Sequence, residues 1–253
     1  MFAPVPCALY SFPDNLTGEA NLQEDLSVDA PNIAAFQPVV LDAADTGSVY
    51  ALYNLVDRLT PYGFLARRKL ADFQSAFADP DSIVAVGVRK EGKLIAYSIC
   101  RRATCLPYPD NLFLSRIDPA VTPLYVGMGT VVDPDFQGHL LMAQMLDLRR
   151  RLLFERRVHH MAGLVAIDNL VSIGNLLHAG AALLGFQKDE TAMNYIAYGG
   201  NMLSRLDRKS ISIALPVGDR EQQAQLFDSG HVAFSLQPGR MKQRNMLFLP
   251  LIS

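Results

Sequence analysis

One stretch of this chain has the residue types and spacing to hold a phosphate. Gln137-Gly138-His139 is a polar, glycine-bearing turn that opens directly into a helical pattern beginning at Leu140. The first amides of a helix lack partners, and the helix dipole places partial positive charge beside them. Together they form a site for an anion. His139 is the one ionisable side chain in the turn. As a cation it contacts phosphate; otherwise it is an exposed turn residue. A run of strand formers, Tyr125 to Val132, leads into the turn and is broken at Asp133-Pro134-Asp135. The helix extends to about Val158. A short apolar run, Met161 to Val165, then leads to Asp168-Asn169 and another helix. Strand, turn, helix, strand, helix is a βαβ-type unit.

Other chemistries lack their residues. There is no Gly-x-Ser-x-Gly elbow and no Walker loop. No Cys/His or carboxylate cluster has metal spacing, so no metal site is expected. His159 and His160 are neighbours on a strand pattern and face opposite ways, a poor chelate. The 3 cysteines, Cys7, Cys100 and Cys105, fit a reduced compartment better than a disulfide framework, and Cys100 reads as a core thiol. A net charge of −2 argues against nucleic acid as a partner. No run reaches the ~18 apolar residues of a membrane span. No Lys or Arg precedes Arg58, so the N-terminus does not read as a signal peptide. The expected setting is cytoplasmic, without membrane association.

The elements that must position the turn follow from periodicity. Residues 1–33 lack a pattern and read as an N-terminal arm. Ala35 to Leu41 reads as a first strand, with Asp42 or Asp45 capping a helix that carries Val49, Leu52, Leu55 and Val56 on one face. A second helix is expected from Leu65 to Phe77. A hairpin then crosses Lys90-Glu91-Gly92-Lys93. Residues 102–122 form a long proline-bearing connection, a length usually tied to function. In the central helix Leu141, Met145, Leu148 and Leu152 form the core stripe. Arg149, Arg150, Arg151, Arg156 and Arg157 read as a solvated row suited to the negative dipole end. The following helix is expected to stop at Gly180 in a left-handed conformation, with Ala181 to Gln187 as the next strand. Residues 206–253 read as a β-α-β extension, too small to fold alone. It is expected to pack on the main domain or in a homodimer interface. No internal repeat is visible.

Val131-Val132-Asp133-Pro134-Asp135-Phe136-Gln137-Gly138-His139-Leu140-Leu141 resembles the acyl-CoA pyrophosphate loop of the GNAT superfamily of N-acetyltransferases. Asp168-Asn169-Leu170-Val171-Ser172 resembles the second signature of that superfamily, on its fourth helix. The resemblance covers roughly residues 35–198. It implies an α+β fold, a mixed and mostly antiparallel sheet flanked by helices, with 34–205 as the acyltransferase domain. It also implies an enzyme, an N-acyltransferase carrying an acyl group from acetyl-CoA or another acyl-CoA to the amine of a small molecule. The amine would attack directly in a ternary complex. Carried over by position, Thr130, Val131 and Val132 flank the thioester. The backbone of Gln137, Gly138, His139, Leu140, Leu141 and Met142 meets the pyrophosphate, and Asn169 and Ser172 meet the pantetheine. Leu140 and Met142 stand where the motif has small residues, and their side chains are expected to crowd the pyrophosphate. The positions of the superfamily's usual acid and base hold Met128 and Leu176. That leaves Tyr125 and His178 as candidate catalytic groups. Two other readings stand beside this one: a ligand- or partner-binding protein without catalysis, and an acyltransferase for longer acyl-CoA or a carrier-protein thioester.

Overall fold

The computed structural model describes residues 36, 38–111, 113–188, 193–199, 206–207, 209–239 and 244–251. The expected arm, and Cys7 within it, lie outside them. Strand β1 (Pro38–Val40) pairs antiparallel with β2 (Ile83–Lys90). Between them, Asp42 accepts the Ala44 N–H at 2.8 Å and Asp45 accepts the Asp42 N–H at 3.0 Å. This reciprocal cap closes a 3-10 turn, Ala43–Asp45, that runs on into α1 (Thr46–Leu59), whose Val49, Leu52, Tyr53 and Val56 are buried. Helix α2 (Leu70–Phe77) starts later than the apolar pattern from Leu65 suggests. The Tyr53 hydroxyl accepts the Arg68 N–H and donates to the Ala66 carbonyl, each at 3.0 Å. Those two bonds hold 66–68 against α1 outside a helix. β2 and β3 (Lys93–Arg102) form the expected hairpin. Its tip residues Glu91 and Gly92 both have positive φ, 51° and 80°, as a two-residue turn matched to strand twist requires.

β4 (Leu124–Val132) continues the sheet antiparallel to β3 and is followed by α3 (Leu141–Glu155). β5 (His160–Ala166) runs parallel to β4, and α4 (Leu170–His178) leads to β6 (Ala182–Lys188) and β7 (Met193–Gly199). Gly180 has φ 87°, the left-handed stop that the spacing predicts. Helices α1 and α2 cover one face of the sheet, against Ala85, Tyr97 and Ile99. Leu141 and Met145 of α3 cover the other, against Val86, Val88 and Ala96.

The last elements are β8 (Ile213–Pro216), α5 (Arg220–Asp228), β9 (His231–Pro238) and β10 (Arg244–Pro250). They extend the same sheet, in the order β1-β2-β3-β4-β5-β7-β6-β9-β10-β8. Here the structure corrects the sequence reading, because a repeat is present. α4 and α5 have nine residues each, capped by the side chains of Asn169 and Asp219 and followed by Gly180 and Gly230 at positive φ. β5-β7-β6 is mirrored in order by β8-β10-β9. At the junction Leu183 pairs with Ala233, positions that correspond in the two units. This is the arrangement a two-fold axis between subunits creates, built here within one chain. Few side chains are shared between the two units, which explains why the sequence hides it.

Candidate active site

β4 and β5 are hydrogen-bonded only where Leu124–Val126 meets His160–Ala162. Beyond that point β4 stays with β3 and β5 stays with β7, so the strands part and a fork opens. Gly127 and Gly163 face each other at its base: a Cβ built on Gly163 lies 3.9 Å from the Gly127 backbone. Past the base, alternate backbone N–H and C=O groups of β4 lose a partner strand. The fork holds a cavity of about 240 Å³. Thr130 and Val131 line it from β4, Met142 from α3, and Asn169, Ser172 and Leu176 from α4.

β4 carries a bulge at this place. Ile99 pairs with Gly129 and Cys100 with Gly127, which leaves Met128 as the extra residue. A bulge re-aims the strand, and its carbonyl is held from outside: Arg68 Nε donates to Met128 O at 2.9 Å. Below the fork, Thr130 and Ser98 share a hydroxyl contact at 2.8 Å, and Arg149 Nη1 donates to Ser98 Oγ at 2.8 Å. Arg149 is 3 % exposed and makes no ion pair among the described residues. It therefore does not belong to the solvated row. Its neighbours do: Arg150 and Arg151 pair with Asp147. Burial lowers the pKa of Arg149 and pushes the neighbouring Cys100 thiol up to about 11. Cys100 is thus an inert core thiol.

The turn at the mouth of α3 is anchored by a residue the motif passes over. Asp133 is 2 % exposed, accepts the Asp135 N–H at 3.2 Å, and pairs with Lys93 Nζ at 3.0 Å. Gly138 (φ 85°) and Leu140 (φ 56°) then take left-handed conformations. A leucine rarely does so. No side chain caps α3, whereas Asn169 and Asp219 cap α4 and α5. The first amides of α3 are therefore open. Two buried polar atoms at this mouth, His139 Nδ1 and Gln144 Nε2, lack a partner among the described residues. His139 is half-buried against the Phe36 ring rather than exposed.

The crowding expected of Leu140 and Met142 divides. Leu140 is 56 % exposed and leaves the cavity clear. Met142 does line it, and its sulfur accepts the Asn175 side-chain N–H at 3.3 Å, joining α3 to α4. The open amides and the unpaired buried atoms have the chemistry to receive a diphosphate, and the fork has the shape to take an extended chain. Met142, a flexible side chain, is the one group that must yield.

The two candidate catalytic side chains lie elsewhere. Tyr125 is buried with Cys100, Leu153 and Val158 under α3, and its hydroxyl donates to Asp81 O at 3.2 Å. His178 is exposed in the last turn of α4. Neither lines the cavity. Val132 faces the α3 cluster, and Leu141 is buried in it. Three tyrosines do line the cavity: Tyr53, Tyr97 and Tyr108. Tyr108 comes from the long connection, with φ 55°. Burial is the largest influence on its hydroxyl and pushes it up to about 12, opposed by Arg68. Burial raises Tyr97 as well. The only sequence signal for Tyr108 was the length of its loop.

A second cavity, of about 440 Å³, adjoins the first and shares Arg68, Val126, Gly127 and Met128 with it. Residues from α2, from the end of β3 and from the connection that follows it line the rest. Among the described residues no helix is long and apolar enough to cross a membrane, and no group of three His, Cys, Asp or Glu side chains is arranged to hold a metal.

No protein-family model matches the sequence, and the curated proteins give no sequence match. Solved structures do share the fold. The ribosomal-protein-S18-alanine N-acetyltransferase from Escherichia coli has a TM-score of 0.50 at 15% identity, over 65% of this chain and 93% of that one. The ribosomal-protein-alanine N-acetyltransferase from Brucella melitensis has 0.50 at 14%, over 65% and 99%. An N-acetyltransferase from Staphylococcus aureus Mu50 has 0.50 at 10%, over 65% and 97%.

Proposed function

We propose that this chain, whose fold is that of the GNAT superfamily, is an acyl-CoA-dependent N-acyltransferase that carries an acyl group, acetyl by default, to a small-molecule amine. One observation carries the reading: a fork between β4 and β5 opens beside an uncapped helix mouth with two buried polar atoms that lack partners among the described residues. Bound acyl-CoA brings an activated thioester, so the protein's part is to hold, orient and manage one proton. The first amides of α3 hold the diphosphate. The freed edge of β4 from Gly127 to Val131 orients the chain of the cofactor and polarises the carbonyl through backbone N–H groups. Tyr108 lines the cavity with its hydroxyl protonated, burial pushing it up to about 12, and it stands as the donor for the leaving sulfur. Asp72 is the only carboxylate among the described residues lining either cavity, and it stands as the acceptor for the proton the amine sheds.

A second reading, binding without turnover, is favoured by Met128 and Leu176, apolar where the superfamily's usual acid and base stand. Native mass spectrometry of the purified protein, followed by thiol release from acetyl and longer acyl thioesters with a panel of amines, separates them. Amine-dependent thiol release is expected. A retained CoA mass with no release from any pair leaves the binding reading. Neither result abolishes both.

A further inference from the structure

The cavity beyond the β4 bulge has a charge pattern that the acyl-transfer reading does not require. Arg68 and Arg101 line it against one carboxylate, Asp72; Arg102 also borders it, but strand alternation turns its side chain to the α3 face, where its cross-strand partner Tyr125 lies. Basic side chains at a strand end are ordinarily solvated and worth little. Arg68 and Arg101 differ in two respects. They gather around a concave volume of about 440 Å³, the size of a small-ligand site, where one sign of charge is focused. They are also uncommitted, since neither takes part in an ion pair among the described residues. Arg68 spends only Nε on the Met128 carbonyl, and among the described residues its other nitrogens stay available. Asp72 is fixed by accepting the Lys69 N–H at 2.6 Å.

We infer that the acceptor is zwitterionic: an amine that also carries a carboxylate or phosphate, with the anionic group held by Arg68 and Arg101 and the amine directed toward Asp72 and the fork. The inference rests on the acyl-transfer reading and narrows its acceptor. Guanidinium forks match both anions in bidentate geometry. The shared wall at Gly127 and Met128 lets an acceptor anchored in the outer cavity reach the inner one.

Binding is tested apart from chemistry. Calorimetric titration uses N-acetylated amino acids, N-acetylated aminoalkyl phosphates and N-acetylated amino acid amides, each with CoA present and absent. At least one anionic probe is expected to bind about tenfold or more tighter than the amides. The substitution Arg101→Gln should erase that preference while acetyl-CoA affinity holds. Whether carboxylate or phosphate binds better tells which anion the acceptor bears. Equal affinity for amides, no binding of any anionic probe, or a preference untouched by Arg101→Gln overturns the inference. Turnover of neutral amines with normal acetyl-CoA affinity would then leave acyl transfer standing. Loss of acetyl-CoA binding in the unaltered protein would instead remove the acyl-transfer reading itself.

Discussion

Arg149 stands four residues after Met145 and four before Leu153, both buried. Helical spacing therefore puts it on the core stripe, and grouping it with its charged neighbours hides that. Burying a guanidinium with only a hydroxyl beside it costs desolvation that no carboxylate offsets. Arg149→Met keeps the stem and removes the charge. Its thermal unfolding midpoint should be unchanged or higher, while turnover of acetyl-CoA falls, because Thr130 loses the Ser98 contact that Arg149 orients. A lowered midpoint with full turnover would make Arg149 a purely structural residue. Tyr125 shows the opposite case. Strict alternation along β4 would put residues seven apart on opposite faces, yet Tyr125 and Val132 both lie under α3. The bulge at Met128 reverses the alternation midway. A bulge has no sequence signature strong enough to read from one chain, so the candidate hydroxyl was placed in a cleft it does not reach.

At the level of elements, the mouth of α3 was legible from the sequence and its latch was not. The turn residues and the helix start follow from local backbone chemistry, which short sequence patterns report well; that Asn169 caps α4 emerges only in the structure. The contact of Met142 with Asn175 spans 33 residues of sequence, and only the packed fold brings it about. The start of α2 was misjudged for the same reason, since Tyr53 reaches across from α1 to hold 66–68. If Met142 must swing away before a ligand enters, Met142→Ala should lower the KM for acetyl-CoA by a few-fold. Initial-rate kinetics at saturating amine checks this. A raised KM would mean that the thioether contacts the ligand instead of barring it.

Across the whole molecule, the repeated unit gives β6 a neighbour on both sides, β7 and β9, so its edge is not left open to other chains. The seam between the units is packed by Ile173, Phe227, Met246 and Phe248 and crossed by a buried polar link. Tyr195 donates to Gln223 Oε1 at 2.7 Å, and Gln223 Nε2 donates to the carbonyls of Pro216 and Val217. Gln223→Leu leaves those buried groups unpaired and should cost about 2–4 kcal/mol in urea unfolding, with acetyl-CoA affinity unchanged because the seam is outside the fork. The account as a whole depends on the amides at the mouth of α3 receiving a diphosphate. Calorimetric titration of acetyl-CoA into the unaltered protein and into Gly138→Asp tests this most directly, since the φ of 85° is one aspartate tolerates better than most residues and the new charge faces the mouth. Saturable one-to-one binding, weakened about tenfold or more in the variant, is the predicted result; no binding to the unaltered protein, or equal affinity in the two, would contradict it.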